Sequence, residues 1–355
     1  MLRQQDVGHR IVVRRIVGIR EGRPLFSDAL GELVELSETH LTLSTAQGQV
    51  RVPVAQVHRA KRVPPTRRPT AAAVVALERA ADEAWPAPTR AQLGDWLLRS
   101  ADGWTGRANS ALPIGDPDRP LAAAVDAVER WYAEQGQPPI INTPLPLAAP
   151  VGAELDARGW AARPPVLVQT TPLPLRPSPA STPVVPGAAT ATNEPGAAAG
   201  HHVGTVAEQS GTAAAPAGRW SSAVVELSPA PSAEWLAVAA GRKGGLPDAA
   251  RHVLTAVDQV RFAHVYVDGT LVAVGRGTVT GQGRWLGLSL IEVLPVARRQ
   301  GLAGRVVHEL AAWGVSAGAT HAFLQVEQHN TAAVALYQRL GFTTHHTYLT
   351  RVAPD

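Results

Sequence analysis

The chain opens with short runs in which apolar and polar residues alternate. Such alternation occurs over Glu32–Leu36, His40–Ser44 and Gln49–Pro53, and the run Val7–Val17 is rich in β-branched residues. A period of two is typical of strands that bury one face. Five such strands, separated by turns that contain glycine, predict a small β-barrel over residues 1–65.

Helical spacing replaces this alternation after a basic, proline-containing stretch at 61–69. Two segments present an apolar face at that spacing, and Thr70 and Thr89 stand where helix N-caps are expected. A third helix ends before Gly136, and a strand and a short helix follow. The predicted elements are helices over 70–85, 89–101 and 120–135, a strand over 139–143 and a helix over 151–158.

The C-terminal part alternates strands with helices. A strand and two helices come first, and a hairpin follows whose turn is marked by Asp268–Gly269. An apolar strand over 285–294 then runs through a loop into a helix that opens at Gly304. The predicted elements are strands over 224–227, 263–267, 271–279, 285–294 and 321–327 and helices over 232–240, 247–254 and 304–313.

Between these parts, residues 176–218 are rich in Pro, Ala, Gly and Thr and show no periodicity. Such a composition cannot bury enough apolar surface to order the chain, so we predict a disordered linker. His201 and His202 lie within it without partners, and we predict no metal site there.

Landmark residues of the middle region recur near the C-terminus. Leu121, Trp131, Gly136 and Gly159–Trp160 follow nearly the same spacing as Leu302, Trp313, Gly318 and Gly341–Phe342. We infer that 70–175 is a degenerate copy of the domain at 219–355.

The amino-acid composition excludes several classes of functional site. The 355 residues include no cysteine, which excludes disulfides, thiolate metal sites and cysteine nucleophiles. No apolar run approaches the ~18 residues of a membrane span and no secretory leader is evident, so we expect a cytoplasmic protein without membrane contact. Of a net charge of +4, the first 68 residues carry 12 Lys/Arg against 6 Asp/Glu, so the basic excess belongs to the predicted barrel.

The loop after strand 285–294 combines the features of a phosphate-binding site. Arg298, Arg299, Gly301 and Gly304 frame the start of the helix. The first amides of a helix lack internal partners and favour an anion, and glycine lets the backbone approach phosphate oxygens. We therefore predict that this loop holds a diphosphate. The middle copy has two acids and two prolines at this place, in Gly115–Pro120, so we predict no such binding there.

Two further landmarks follow that helix. Asn330 stands seven residues before Tyr337, and the segment closes with Leu340–Phe342. Together with the R-x-x-G-x-A loop at Arg298–Ala303, this order resembles the GCN5-related N-acetyltransferases, the GNAT superfamily. The whole arrangement resembles an actinobacterial family with an SH3-like barrel, described as N-acetylglutamate-synthase-like or histone-acetyltransferase-like. The resemblance implies an α/β (α+β) fold, with a mixed sheet flanked by helices and a degenerate half before the catalytic half at 219–355.

The resemblance implies an N-acetyltransferase that uses acetyl-CoA and no metal. The acceptor would be a primary amine of an amino acid such as glutamate, of a small molecule or of a protein lysine. Asn330 matches the residue that contacts the pantetheine arm, and Tyr337 matches the general acid for the leaving sulfur. The residues implied for acetyl-CoA are the strand end Ile291, Glu292 and Val293, the loop residues Arg298, Arg299, Gln300, Gly301, Leu302, Ala303 and Gly304, and Asn330.

The general base stays open. Family members that acetylate protein N-termini have a glutamate five residues before the asparagine, and that position is Gln325 here, which cannot accept a proton at neutral pH. Glu327 is two residues further on the same strand face, and Glu292 lies on the strand before the loop. Either glutamate is a candidate base acting through water, and either is also plausible as a structural carboxylate.

Two other segments have a functional and a structural interpretation. The basic residues of the barrel could make weak contact with nucleic acid or an acidic protein. Only Phe26 is available there for base stacking, which favours a solvated barrel. The loop Arg107–Ser110 could line an acceptor cleft or form an ordinary turn, and the pattern favours neither.

Two alternative functions fit parts of the chain. A mycothiol-synthase-like enzyme acting on an amino-sugar thiol precursor shares the tandem design but lacks the N-terminal barrel. A non-catalytic acetyl-CoA-sensing or nucleic-acid-binding protein would use the basic barrel. Retention of both the phosphate loop and Tyr337 argues against that second alternative.

Overall fold

The computed structural model describes residues 2–20, 22–45, 48–63, 69–175, 222–241 and 246–354. The chain divides into two units, Met1–Arg68 and Pro69–Asp355. This boundary falls within the basic, proline-containing stretch that follows the predicted barrel. The linker predicted over 176–218, with His201 and His202, lies outside the described residues.

The first unit is a five-stranded antiparallel sheet with the order β4-β3-β2-β1-β5. The residues that alternate in the sequence turn one apolar side inward, where Ile11, Val13, Leu33, Leu43 and Val52 are buried. The antiparallel order and the single core are consistent with the predicted small barrel. The strands are β1 (Arg10–Arg20), β2 (Arg23–Leu36), β3 (His40–Thr45), β4 (Gly48–Pro53) and β5 (Val57–Arg62).

Two basic side chains of this unit are held by acidic partners. Arg14 donates from Nε and Nη2 to the two carboxylate oxygens of Asp28, at 2.9 Å each. Arg62 pairs with Asp6. These pairs leave the net charge of the unit unchanged but engage two of its basic side chains within the unit. Contact of the barrel with nucleic acid or an acidic protein stays a prediction.

The middle and C-terminal regions build one nine-stranded sheet in the second unit, in the order β11-β12-β13-β14-β15-β10-β16-β8. The short strand β9 pairs with β16. Neighbours along the sheet are antiparallel except β14 and β15, which are parallel. The strands are β8 (Ile140–Leu145), β9 (Ala161–Ala162), β10 (Val166–Pro172), β11 (Val224–Ser228), β12 (Val260–Val267), β13 (Thr270–Thr280), β14 (Trp285–Val293), β15 (His321–Glu327) and β16 (Thr343–Val352).

Helices flank this sheet, which confirms the mixed α/β fold expected from the resemblance. Thr70 caps the first of them as predicted, because its Oγ1 accepts a hydrogen bond from Ala73 N at 3.2 Å. In the part of the chain that the structure describes, no helix is long and apolar enough to cross a bilayer. The helices are α1 (Ala71–Glu83), α2 (Leu121–Glu134), α3 (Ala149–Ala157), α4 (Ala233–Ala240), α5 (Asp248–Thr255), α6 (Leu302–Ser316) and α7 (Thr331–Arg339).

The two regions exchange their last strands. β10, which ends the middle region, lies between β15 and β16, and β16, which ends the C-terminal region, lies between β10 and β8. The order β15-β10-β16-β8 is therefore symmetric on interchange of the two regions. The repeat inferred from the sequence is visible as α2–β8–α3–β10 against α6–β15–α7–β16.

The helix predicted over 89–101 is wrong. This segment is a hairpin of β6 (Thr89–Leu93) and β7 (Trp96–Ser100), which pair antiparallel. Gly94 makes the turn with a φ of 54°, and a Cβ there would lie 2.3 Å from Asp116 O. The residues of β7 are buried on both faces, and such a run cannot be told from a buried helix by periodicity alone. The Gly94–Asp95 turn was the missed signal.

Arg276, on β13, is fully buried and ties the end of α1 to the C-terminal region. Its Nη1 donates to Ala84 O and its Nε to Leu254 O, both at 2.9 Å. The guanidinium lies 5.3 Å from the ring centroid of Trp85. Burial, and then the charge of Arg107, lower the pKa of Arg276 to about 9, so the group stays charged at neutral pH.

Acidification is expected to destabilise the fold between about pH 6.5 and about pH 4. His345 Nδ1 lies 2.9 Å from His346 Nδ1, and His346 Nε2 lies 2.7 Å from the buried Glu78 Oε1. Partial burial, and then His346, lower the pKa of His345 from 6.5 to about 4. The unfolded chain therefore binds a proton in this window that the folded chain does not, so the free energy of unfolding falls as the pH falls.

Thermal melts from pH 4 to pH 8 check this expectation. The variant His345→Asn should melt with a weaker dependence on pH than the wild type. His252→Asn removes an exposed histidine and should leave the dependence unchanged. Equal pH slopes for wild type and His345→Asn would contradict the assignment.

Candidate active site

The first turn of α6 is open to an anion. Gly301 is its N-cap with a φ of 77°, no side chain caps it, and the first turn holds no acidic residue. Arg305 N donates to Gly301 O at 3.2 Å, so the amides of 302–304 precede the first helical bond. A Cβ on Gly301 or Gly304 would meet no atom within 4 Å, which leaves space above these amides for a ligand. These residues fit a diphosphate.

The loop before the helix adds exposed cationic side chains. Arg298, Arg299 and Gln300 are exposed. Arg298 Nε donates to Val293 O at 3.1 Å, which ties the loop to the end of β14. Arg299 has a φ of 62°, a conformation that is uncommon for residues with a side chain. The structure thus gathers the predicted residues 298–304 at one helix end.

A bulge interrupts β14 just before this loop. Residues 274–276 of β13 stand opposite 289–292 of β14, so β14 has one extra residue. Leu290 lies in the bulge with a φ of 52°. Bulges re-aim the residues that follow them and concentrate near functional sites.

The bulge changes which residues of β14 face α6. Before it, Leu286 and Leu288 belong to the core under α6, and after it Ile291 and Val293 pack against that core. A regular strand would have placed residues 290 and 292 there, because side chains alternate with a period of two.

Gly275 permits the close approach of α6 to the bulge. A Cβ at this position would lie 2.4 Å from Val306 Cγ1 and 2.8 Å from Ile291 Cδ1. Glycine inside a strand often marks a bulge or a close approach. The sequence run Gly275–Arg276–Gly277 therefore carried a signal for this bulge that the sequence analysis did not use.

β14 and β15 diverge at the same level. They pair in parallel only from Trp285↔His321 to Leu288↔Leu324. Beyond that point β14 continues to Val293 and β15 to Glu327 without pairing to each other. We call this opening the splay. Among the residues that the structure describes, no strand pairs with the edge of β14 that faces the splay, and backbone groups at such an edge can bind an extended ligand.

Tyr337 lies buried on α7 beside the core under α6. Its ring meets Phe342 at 5.9 Å between centroids. Burial, and then the charge of Glu292, raise the pKa of Tyr337 to about 12. The hydroxyl therefore stays protonated across the neutral range, and Glu292 lies near enough to reinforce that state.

Asn330 and Glu327 lie exposed where β15 turns into α7. Asn330 Oδ1 accepts a hydrogen bond from Ala333 N at 3.2 Å and so caps α7, which leaves its amide group as the donor for a ligand. Glu327 Oε2 lies 3.2 Å from His329 Nε2.

A cavity of about 410 Å³ lies beside the splay. Glu327 lines it and Glu292 does not, which separates the two candidate bases. Arg107, which the sequence left open, lies on its wall. Trp85, Arg163, Ser289 and Tyr348 were not predicted for the site. The lining residues are Trp85, Thr105, Gly106, Arg107, Arg163, Pro164, Val166, Leu288, Ser289, Leu290, Gln325, Glu327, Tyr348 and Thr350.

Gln325 is an anchor within this cavity. Tyr348 OH donates to Gln325 Oε1 at 3.2 Å, and burial raises the pKa of Tyr348 above that of ordinary tyrosine. The pair is neutral at physiological pH. Within the described residues, no group of three or more His, Asp or Glu side chains is placed to hold a metal ion.

Comparisons with known proteins show the family to which the chain belongs. Residues 71–171 and 191–350 match the family model described as probable histone acetyltransferase Rv0428c, C-terminal. The chain is 29% identical over 364 residues to probable histone acetyltransferase Rv0428c of Mycobacterium tuberculosis, covering 98% of this chain and 95% of the relative. It is 37% identical over 83 residues to the uncharacterized N-acetyltransferase YobR of Bacillus subtilis, covering 23% of this chain and 32% of that relative.

A solved structure shows the same fold. A GCN5-related N-acetyltransferase from Kribbella flavida superposes with a TM-score of 0.52 at 15% identity, covering 82% of this chain and 97% of the other. The family model spans well over half of the chain and both of its regions. The chain therefore belongs to the Rv0428c C-terminal family of probable histone acetyltransferases, within the GNAT superfamily of N-acetyltransferases.

Proposed function

We propose that the second unit transfers the acetyl group of acetyl-CoA to a primary amine that enters the cavity beside the splay. This proposal rests on the geometry of the splay. Its strands contribute Leu288, Ser289 and Leu290 on one side and Gln325 and Glu327 on the other to the cavity wall. The same β14 runs on into the loop that opens α6. One continuous strand thus links a diphosphate site to an acceptor cavity.

The thioester of acetyl-CoA supplies an acyl group that an amine can attack and a thiolate that can leave. The amides of 302–304 and the Arg298 and Arg299 side chains would hold the diphosphate. The edge of β14 at Ile291–Val293 that faces the splay and the Asn330 amide group would bind the pantetheine arm. Fixed donors aimed at the thioester oxygen are usually the largest catalytic contribution.

Glu327 is the proposed general base. It is the carboxylate among the lining residues, and it is exposed at the cavity mouth. An ammonium must lose one proton before attack, and the new amide nitrogen loses a second one after it. Both protons would leave through water to Glu327 and then to solvent, and the thiolate would regain one proton from solvent.

Tyr337 is proposed to donate a hydrogen bond to the departing sulfur. A thiol has a pKa of roughly 8.5, whereas the pKa of Tyr337 is about 12. Complete proton transfer from Tyr337 to sulfur would therefore be uphill. Stabilisation of the developing negative charge fits this difference, and Glu292 assists by keeping the phenol protonated.

Acetyl-CoA turnover, followed as thiol release, tests the function. The acceptor panel holds glutamate, the other amino acids, amino sugars, polyamines and a lysine-rich peptide. The peptide is included because the Mycobacterium tuberculosis relative is described as a probable histone acetyltransferase. We expect thiol release in equal amount to N-acetyl product with at least one acceptor. A protein that neither binds nor consumes acetyl-CoA would refute the proposal.

The variant Tyr337→Phe is expected to lower kcat by about 100-fold, in line with the loss of one positioned donor. The dissociation constant of acetyl-CoA should change little, because phenylalanine keeps the packing against Phe342. Tyr266→Phe is the matched control, since Tyr266 lies on β12, which pairs with β11 and β13 and with neither strand of the splay. A kcat of Tyr337→Phe within threefold of the wild type would remove Tyr337 from the mechanism.

A further inference from the structure

We propose that the acceptor amine carries a carboxylate, and that Arg107 and Arg163 of the middle region bind it on the cavity wall. This inference rests on the proposed transferase function and names the class of amine that the cavity takes.

The two arginines come from different segments but share one wall. Arg107 belongs to a turn after β7, and Arg163 follows β9, where its backbone N donates to Thr350 O at 2.9 Å. Arg163 Nη1 lies 3.5 Å from the position that a Cβ on Gly106 would occupy. Gly106 is the neighbour of Arg107, so both cationic side chains approach the same stretch of backbone.

Neither arginine has an acidic partner among the described residues. Other arginines of the middle region do, since Arg99 pairs with Asp82 at 3.2 Å and Arg158 with Asp126 at 2.6 Å. Within the described residues the buried Arg107 Nε has no hydrogen-bond partner, while the rest of the Arg107 guanidinium is in hydrogen-bond contact with the Tyr348 side chain. Proteins rarely leave a buried polar group or charge unpaired, so a ligand that accepts hydrogen bonds is the natural partner.

Other polar and charged groups in and behind the cavity also favour an anionic ligand. Ser289 Oγ lines the cavity and is also buried, with no hydrogen-bond partner in the part of the chain that the structure describes. Arg107 lies 5.6 Å from the Trp85 centroid, and the fully buried Arg276 lies 5.3 Å from it. Arg276 is held by carbonyl oxygens and not by a carboxylate. Arg276 is fully buried, Arg107 is half-buried and Arg163 is exposed. The repulsion between Arg107 and Arg276 is unfavourable, and an anion beside Arg107 would relieve it.

These charges select a carboxylate-bearing amine over a lysine-rich peptide. Guanidinium groups bind carboxylates through paired, charge-assisted hydrogen bonds. A cationic peptide would instead bring further positive charge towards Arg107 and Arg163. The volume of about 410 Å³ suits a small molecule. Glu327 would meet the amine while the two arginines meet the carboxylate of the same molecule.

Matched pairs of acceptors test the inference. Each free amino acid, and a series of ω-amino acids, is compared with its own carboxamide, which keeps the amine and loses the charge. For the preferred acceptor we expect kcat/KM to exceed that of its amide by about 10- to 100-fold. Binding of the same pairs to the protein saturated with CoA, followed by thermal shift, gives a readout that does not depend on turnover.

The variants Arg107→Gln and Arg163→Gln should each reduce this preference to a few-fold and leave the dissociation constant of acetyl-CoA unchanged. Arg163→Lys should restore part of it. Arg130→Gln, which removes an exposed arginine of α2 outside the cavity, should behave as wild type.

Three outcomes overturn the inference while the transferase function stands. They are equal use of acids and amides, an unchanged preference in both glutamine variants, or turnover and binding restricted to amines without a carboxylate, such as the lysine-rich peptide. Failure to bind acetyl-CoA at all refutes the proposed function and the inference with it.

Discussion

Replacement of Gly301 by glutamate is expected to weaken acetyl-CoA binding by at least about 100-fold. The new carboxylate would stand at the uncapped amides of α6, where the diphosphate is proposed to bind. At an effective dielectric constant near 20, two like charges 4 Å apart repel by roughly 4 kcal/mol, and each 1.4 kcal/mol is a factor of ten. Calorimetric titration with acetyl-CoA measures the change directly.

The substitution should leave the fold intact. A Cβ on Gly301 meets no atom within 4 Å, so the direct cost is the left-handed φ of 77°, which is roughly 1–2 kcal/mol for a residue with a side chain. A carboxylate at a helix N-terminus also stabilises the free protein slightly. Melting temperatures near that of the wild type are therefore expected.

Gly283→Glu separates the effect of charge at the site from the effects of strain and net charge. Gly283 has a φ of 79° and equally open space, and it lies before the opposite end of β14. The Gly283→Glu protein should lose about as much stability as the Gly301→Glu protein but should bind acetyl-CoA as tightly as the wild type. If the two variants bind equally well, the 298–304 loop does not hold the diphosphate.

The sequence predicted those elements whose apolar residues follow one clear period. The alternating strands of the first unit and the helices α1, α2 and α6 lie where the pattern placed them. The pattern failed at 89–101, because β7 is buried on both faces and so has no period to read. Local pattern also cannot report the exchange of β10 and β16, since strand order depends on contacts between residues far apart in sequence.

Some residues of the candidate site could be predicted from the sequence and others could not. The loop residues Arg298–Gly304 and the pair Asn330 and Tyr337 form a motif, so the resemblance could indicate them. The acceptor wall has no motif. Trp85 and Arg163 lie at element ends in the middle region, and only the folding of that region against β14 and β15 brings them to the cavity. The middle region, in which Gly115–Pro120 has two acids and two prolines at the place of the loop, contributes the cationic side chains of Arg107 and Arg163 to the cavity.

Because the two regions exchange strands, residues 219–355 are not expected to fold when produced alone. The fragment keeps β14, β15, β16 and the diphosphate loop but loses β10, which pairs along all of β15 and much of β16. β15 would become an open edge, and β16, which also loses β8, would keep none of its strand partners. Such edges expose unpaired backbone groups and promote aggregation.

The loss extends to the core and to buried polar groups. Phe323 and Tyr348 pack against Leu77, Ala81 and Val168, which the fragment lacks. Arg276 would lose Ala84 O as an acceptor while losing its burial under Trp85. A domain is stable by only roughly 5–15 kcal/mol, and the fragment loses a strand, a helix face and the partners of a buried cation together. We expect no cooperative melting transition and no binding of acetyl-CoA.

Residues 69–355 form the matched control and should melt cooperatively and bind acetyl-CoA, because every partner named above lies within them. Co-expression of 69–175 with 219–355 should restore both properties, since the exchanged strands can pair without a covalent connection between the two regions. A cooperative transition of 219–355 alone, with affinity for acetyl-CoA close to that of 69–355, would show that the C-terminal region is an independent domain. The shared sheet would then be a docking arrangement between two folded halves, and β10 would be dispensable for the diphosphate site.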